Sequence, residues 1–275
     1  MTDSLPTIIV MLKNLMRRSL VPLSAAAMLL ALTPGTAAAE QGVDVSSWQH
    51  PGGQGINWFS VRGSGQQFAM VKATEGLYYV NPFFVQDSLG IRAAGLARGT
   101  YHYADVTADP VAQAAFYSTV VLGQNGPLDL PPVIDLEDAR GQSAQHIIGW
   151  LHAYLDTVQA LTGRQPMIYT GAWFWRTHMA NTTEFSEYPL WIADYNGGDG
   201  PTLPLPGGWQ DWAFWQYSDA GSVPGISGNV DVNHYSGAAG PFARLSNSDA
   251  LGSLGSLGSA ASAGVAGVLG NKTGS

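Results

Sequence analysis

No cysteine occurs among the 275 residues. That excludes a disulfide framework and a thiolate nucleophile. It does not fix the compartment, because large domains are exported without disulfides. Charge is scarce as well. Charged residues make up 12% of the chain and hydrophobic residues 45%, a balance that favours a folded core over disorder. Positive charge is in shortest supply. A formal net charge of -8 argues against nucleic-acid binding, which needs Lys and Arg against phosphate. Several catalytic signatures are missing too. The six histidines show no HExxH spacing, and His146 and His152 lie at i+6, off a common helix face. No G-x-S-x-G elbow appears; Gly63-Ser64-Gly65 is too short and reads as a loop. There is no P-loop and no dinucleotide fingerprint, so the sequence implies neither a metal nor a cofactor.

One apolar run stands out. Lys13, Arg17 and Arg18 precede an apolar stretch from Leu20 to Leu32, and Thr36-Ala37-Ala38-Ala39 precedes Glu40. A basic start, a short apolar stretch and small residues at the exit predict a secretory signal peptide over 1–39. The expectation is a secreted protein with no stable membrane insertion after cleavage. From Leu245 the composition changes. A Leu-Gly-Ser triplet repeats from Leu251 to Ser259, and no aromatic follows Phe242. Residues 245–275 read as a flexible Gly/Ser/Ala-rich tail. The working domain is then 40–244.

Within it, short apolar runs alternate with helical patterns. Strands are expected at Val43–Val45, Phe68–Thr74, Arg98–Tyr103, Pro132–Glu137 and Met167–Thr170. Helices are expected at Pro82–Ala94, Pro110–Leu122, Ser143–Leu161 and Ala172–Met179, with Asp109 and Pro110 opening one and Gly95 and Gly163 ending two. Three strands follow without helices: Leu190–Tyr195, Trp212–Tyr217 and Asn229–Val232. An α/β series of eight strands predicts an irregular TIM-like barrel.

Polar residues gather at the predicted strand ends, the reactive face of such a barrel. Asp44, Asp135, Glu137, Asp194 and Asp231 are acidic, and Tyr103, Tyr169 and Gln216 accompany them. Asp135 and Glu137 are the sharpest pair. Residues i and i+2 of a strand point to the same side, about 6.5–7 Å apart at Cα. Neighbouring carboxyls partly out of water favour a protonated form, as a general acid requires. Taken alone, D-x-E fits a solvated or salt-bridged pair equally well. Nine Trp and eleven Tyr are many for this length; they suit core packing, and they also suit sugar stacking.

Eight short motifs, taken together in order, carry a resemblance. They are Gly42-Val43-Asp44-Val45-Ser46-Ser47-Trp48-Gln49, Val71-Lys72-Ala73-Thr74-Glu75-Gly76, Tyr101-His102-Tyr103, Ile134-Asp135-Leu136-Glu137, Ile168-Tyr169-Thr170, Leu190-Trp191-Ile192-Ala193-Asp194-Tyr195, Trp215-Gln216-Tyr217 and Val230-Asp231-Val232-Asn233. From Gly42 to about Tyr235 the chain resembles the glycoside hydrolase family 25 lysozymes, the Chalaropsis-type N-acetylmuramidases. The resemblance implies an irregular barrel of eight strands with about five helices. It implies hydrolysis between N-acetylmuramic acid and N-acetylglucosamine, with peptidoglycan glycan strands as partner and a monomeric enzyme. It makes Glu137 the proton donor and later base, and Asp135 the second catalytic carboxylate. Asp44 and Asp231 would shape the site electrostatically. Tyr103, Tyr169, Trp191, Asp194 and Gln216 are the candidate substrate-binding residues, with Trp191 equally suited to the core. Two other readings remain at this point: a non-catalytic wall-binding protein, and a glycosidase of other specificity such as a chitinase.

Overall fold

The computed structural model describes residues 40–121, 126 and 128–237. The expected signal peptide and tail lie outside these residues, as does Leu122. Among the described residues nine strands are present: β1 (Glu40–Val45), β2 (Phe68–Glu75), β3 (Tyr79–Val80), β4 (Ala97–Tyr103), β5 (Asp129–Asp135), β6 (Met167–Gly171), β7 (Leu190–Ala193), β8 (Phe214–Gly221) and β9 (Val230–Tyr235). The same residues form five α-helices: α1 (Trp58–Gly63), α2 (Phe84–Ala93), α3 (Pro110–Val120), α4 (Ala144–Thr162) and α5 (Ala172–His178).

Local chemistry explains the helices. Ser143 caps α4 by accepting from the His146 N–H, and Gly163 ends it at φ 69°, a conformation that suits glycine. Between these ends Ile147, Trp150, Leu151, Tyr154, Leu155 and Val158 form one buried stripe at helical spacing. Asp109 accepts from the Ala112 N–H at 2.7 Å, and Pro110 occupies the first turn of α3. The six-residue α1 is capped by Asn57. It is too short to show periodicity, and the sequence pattern did not contain it.

β1 pairs with both β2 and β9, so eight strands close in the order β1-β2-β4-β5-β6-β7-β8-β9. β3 is a hairpin partner of β2 outside that closure. The strands from β1 to β8 in the barrel run parallel, and β9 runs antiparallel to both of its neighbours. That reversal makes the barrel irregular. It also brings the start of β9, with Asp231, to the rim where the other strands end; Asp231 sits directly opposite Asp44 in the register.

β5 differs from the expected Pro132–Glu137. It begins at Asp129 and stops at Asp135, leaving Glu137 two residues beyond its end. Pro131 and Pro132 lack the N–H a central strand needs. A register shift against β4, between Arg98 and Thr100, accommodates them.

Alternation along each strand separates two cores. Outward residues such as Val43, Val71, Ile134, Ile168, Ile192 and Trp215 pack beneath the helices. Inward residues fill the barrel: Phe68, Met70, Leu130, Met167, Phe214 and Tyr235 plug the end where the parallel strands begin, and Tyr101, Tyr169 and Trp191 lie above them. Gly42 and Gly99 leave room for the plug. A Cβ on Gly42 would meet the Phe68 ring, and one on Gly99 would meet the Met70 Sδ.

Candidate active site

Above the plug, the inward positions turn polar. Asp44 of β1, Lys72 of β2, Tyr101 and Tyr103 of β4, and Asp135 of β5 surround one cavity. Tyr169 of β6, Trp191 of β7, Gln216 of β8 and Asp231 of β9 complete the ring of strands, joined by Glu137, Ser46 and Trp48 from strand-end loops. The cavity volume is about 200 Å³. Alternation places Asp135 and Glu137 on its same side, with Leu136 turned outward into the core.

Its floor is a fixed hydrogen-bond network. Asp44 Oδ2 accepts from Gln216 Nε2 and Asn233 Nδ2, both at 2.8 Å. Gln216 Oε1 accepts from Tyr169 at 2.8 Å and from Tyr195 at 2.6 Å. Asn233 Oδ1 accepts from Trp191 Nε1 at 2.8 Å. Each amide therefore has one orientation, and both present their N–H to Asp44. Trp191, only 2% exposed, serves core and cavity together. At the mouth, Ser46 accepts from the Trp48 N–H while its own N–H donates to Gln49. This capping box fixes a tight turn that leaves Trp48 87% exposed beside the carboxylates.

Burial and mutual repulsion set the charges. Asp135 is held well above the ordinary carboxylate range, by burial first and then by the charge of Glu137; Lys72 opposes this. Glu137 is also raised, by burial and then by Asp44, again against Lys72. Asp231 is pushed up to about 8 by burial, by the Asp44 charge and by the proton it shares with Asp44. Asp44 is raised by burial against the bonds from Asn233, Gln216 and Asp231. Asp231 is thus the donor in that pair. Asp135 Oδ1 is buried with no hydrogen-bond partner among the described residues. Among the described residues Lys72 is the one cation lining the cavity; it pairs with Glu75 at 2.5 Å and lies 4.6 Å from the centre of the Tyr103 ring.

Such a site offers proton transfer beside a second carboxylate, in a cleft with aromatic walls. Residues 43–226 match the model of the glycosyl hydrolases family 25. The chain belongs to that family. It is a glycoside hydrolase of the lysozyme type. Lysozyme M1 from Streptomyces globisporus is 35% identical, over 79% of this chain and 74% of its own length. An N,O-diacetylmuramidase from a Chalaropsis species is 34% identical, over 70% of this chain and 95% of its own. The bacterial lysozyme from Streptomyces coelicolor superposes with a TM-score of 0.71 at 34% identity, covering 77% of this chain and 98% of that one.

Of the site residues expected from sequence, the hydrolase brings Asp44, Asp135, Glu137, Asp231, Tyr103, Tyr169, Trp191 and Gln216 into the one cavity. Asp194 does not line it. Its carboxylate accepts from the Thr202 N–H at 2.6 Å and from Asn196 at 3.1 Å, pinning a loop. Alternation explains this: Trp191 points inward, so Asp194, three residues on, points away. The same rule would have found Ser46, two residues after Asp44, and Lys72, two after Met70. Trp48 lies in an irregular turn, where no period applies.

Proposed function

We propose that this lysozyme-type hydrolase cleaves the β-1,4 bond between N-acetylmuramic acid and N-acetylglucosamine in peptidoglycan, with Glu137 as proton donor and Asp135 as its partner. The convergence of Asp135, Glu137, Asp44 and Asp231 on one aromatic-walled cavity carries the reading. Glu137 gives its proton to the glycosidic oxygen and then takes one from water. We favour attack by the substrate's own acetamido oxygen over direct attack by Asp135. The orphaned Asp135 Oδ1 supports this, since an acetamido N–H would satisfy it. That hydrogen bond favours the Asp135 carboxylate, so the proton held by the pair moves to Glu137 when substrate binds. Asp44, accepting the proton that Asp231 keeps, adds negative potential opposite a developing oxocarbenium charge. Trp48 and Tyr103 offer faces for sugar rings, and Tyr169, Trp191 and Gln216 hold the floor. The basic and apolar pattern of residues 13–39 supports secretion, with 40–244 as the working domain and 245–275 as a tail.

Two measurements test the reading. Digested peptidoglycan should yield new N-acetylmuramic acid reducing ends; N-acetylglucosamine ends would overturn the bond assignment. A slow 2-fluoro sugar should leave no covalent species on Asp135; a trapped glycosyl ester there would overturn the substrate-assisted route.

A further inference from the structure

Glu137 projects from a loop, not from a strand, and something must fix it. Arg140, three residues on, has φ 48°, in the left-handed region that a residue with a Cβ adopts at some cost. Its guanidinium reaches two other rim loops and an acidic residue of its own loop. Nη1 lies 3.2 Å from Asp105 after β4, and Nη2 lies 3.9 Å from Glu75 at the end of β2. Nη2 also donates to the Tyr78 hydroxyl at 3.3 Å, and Nε lies 3.6 Å from Asp138. Asp138 in turn accepts from the Arg140 backbone N–H at 2.9 Å. Glu75 also pairs with Lys72 inside the cavity, so the contacts run unbroken from the Glu137 loop to the cavity's cation. A turn that needed only a left-handed residue would be served better by glycine.

We propose that Arg140 is a positioning residue for Glu137, clasping the loop after β5 to the loops after β2 and β4. The inference rests on Glu137 being the acid. The planar fork of Arg140 serves several acceptors at once, which the point charge of lysine does not.

Arg140→Gly separates the two demands, because it relieves the backbone and removes the clasp. With peptidoglycan as substrate, well below each variant's melting temperature, kcat should fall about ten-fold or more with KM within about two-fold, as expected for a misplaced acid. Arg140→Lys should recover only part of the loss. Asp105→Asn, which leaves the turn untouched, should lower kcat by less, and should add little to Arg140→Gly because one contact is shared. Stoichiometric binding of an N-acetylglucosamine oligomer by each variant would show that the lower kcat is not a smaller folded fraction. Wild-type kcat in Arg140→Gly, or additive effects with Asp105→Asn, would overturn the inference. Glu137→Gln run alongside distinguishes the cases: if it is inactive while Arg140→Gly is fully active, only the clasp fails. If Glu137→Gln is itself active, the site reading fails.

Discussion

Asp129 and Asp135 stand at the two ends of one strand, both buried, and their surroundings are opposite. Asp129 is held by Arg98 at 2.7 Å and by Arg92 at 2.7 Å, and it also accepts from the Gly126 N–H. Asp135 meets other carboxyl groups and keeps an oxygen without a partner among the described residues. The contrast extends around the barrel. Phe68, Met70, Met167 and Phe214 fill one end, and carboxylates, amides and hydroxyls line the other. One end is packed with apolar side chains; the other gathers carboxyl groups whose charged forms burial disfavours. Polar groups buried without partners cost free energy, and sites keep them for their chemistry.

This contrast can be broken or sharpened by substitution. Asp129→Ala leaves Arg98 buried without its partner. We expect a loss of about 3–5 kcal/mol in denaturant unfolding, with kcat per folded molecule unchanged. Asp135→Asn is the counterpart. It should lower kcat about 10²–10³-fold, the range for losing one transition-state stabiliser, with a melting temperature no lower than wild type. Gly99→Ala pushes a methyl onto Met70 in the plug and should cost about 1–3 kcal/mol in the same unfolding assay, again without changing kcat.

A pH dependence concerns Asp231. Its folded pKa, about 8, lies above that of an exposed aspartate, so the native state keeps a proton that the unfolded chain releases. Its contribution to stability is complete below the unfolded value and is lost as pH rises through about 8. Asp231→Asn removes this loss. The melting temperature of the variant should fall less than that of wild type between pH 5 and pH 8, and an equal fall would contradict the assignment.

Much of this was legible in the sequence. Short apolar runs and capping residues located β2, β4, β6 and α4 to within a residue or two. The i, i+2 spacing of Asp135 and Glu137 put both carboxyls on one side, and both line the cavity. Strand direction was not legible, because nothing in Val230–Tyr235 distinguishes a parallel from an antiparallel neighbour. The closeness of Asp231 to Asp44 therefore had to come from the fold. α1 was missed for want of a full period, and the prolines masked the start of β5. The Arg140 clasp joins residues from three loops, and only their meeting in space gives it meaning.

The most direct test of the account is Glu137→Gln, which keeps the shape of the side chain and removes its proton transfer. Hydrolysis of peptidoglycan should fall about 10²–10⁴-fold, the range for general acid–base catalysis, while the variant still sediments with cell walls and melts no lower than wild type. Turnover within a few-fold of wild type would contradict the account, because the proton would then have to come from another group.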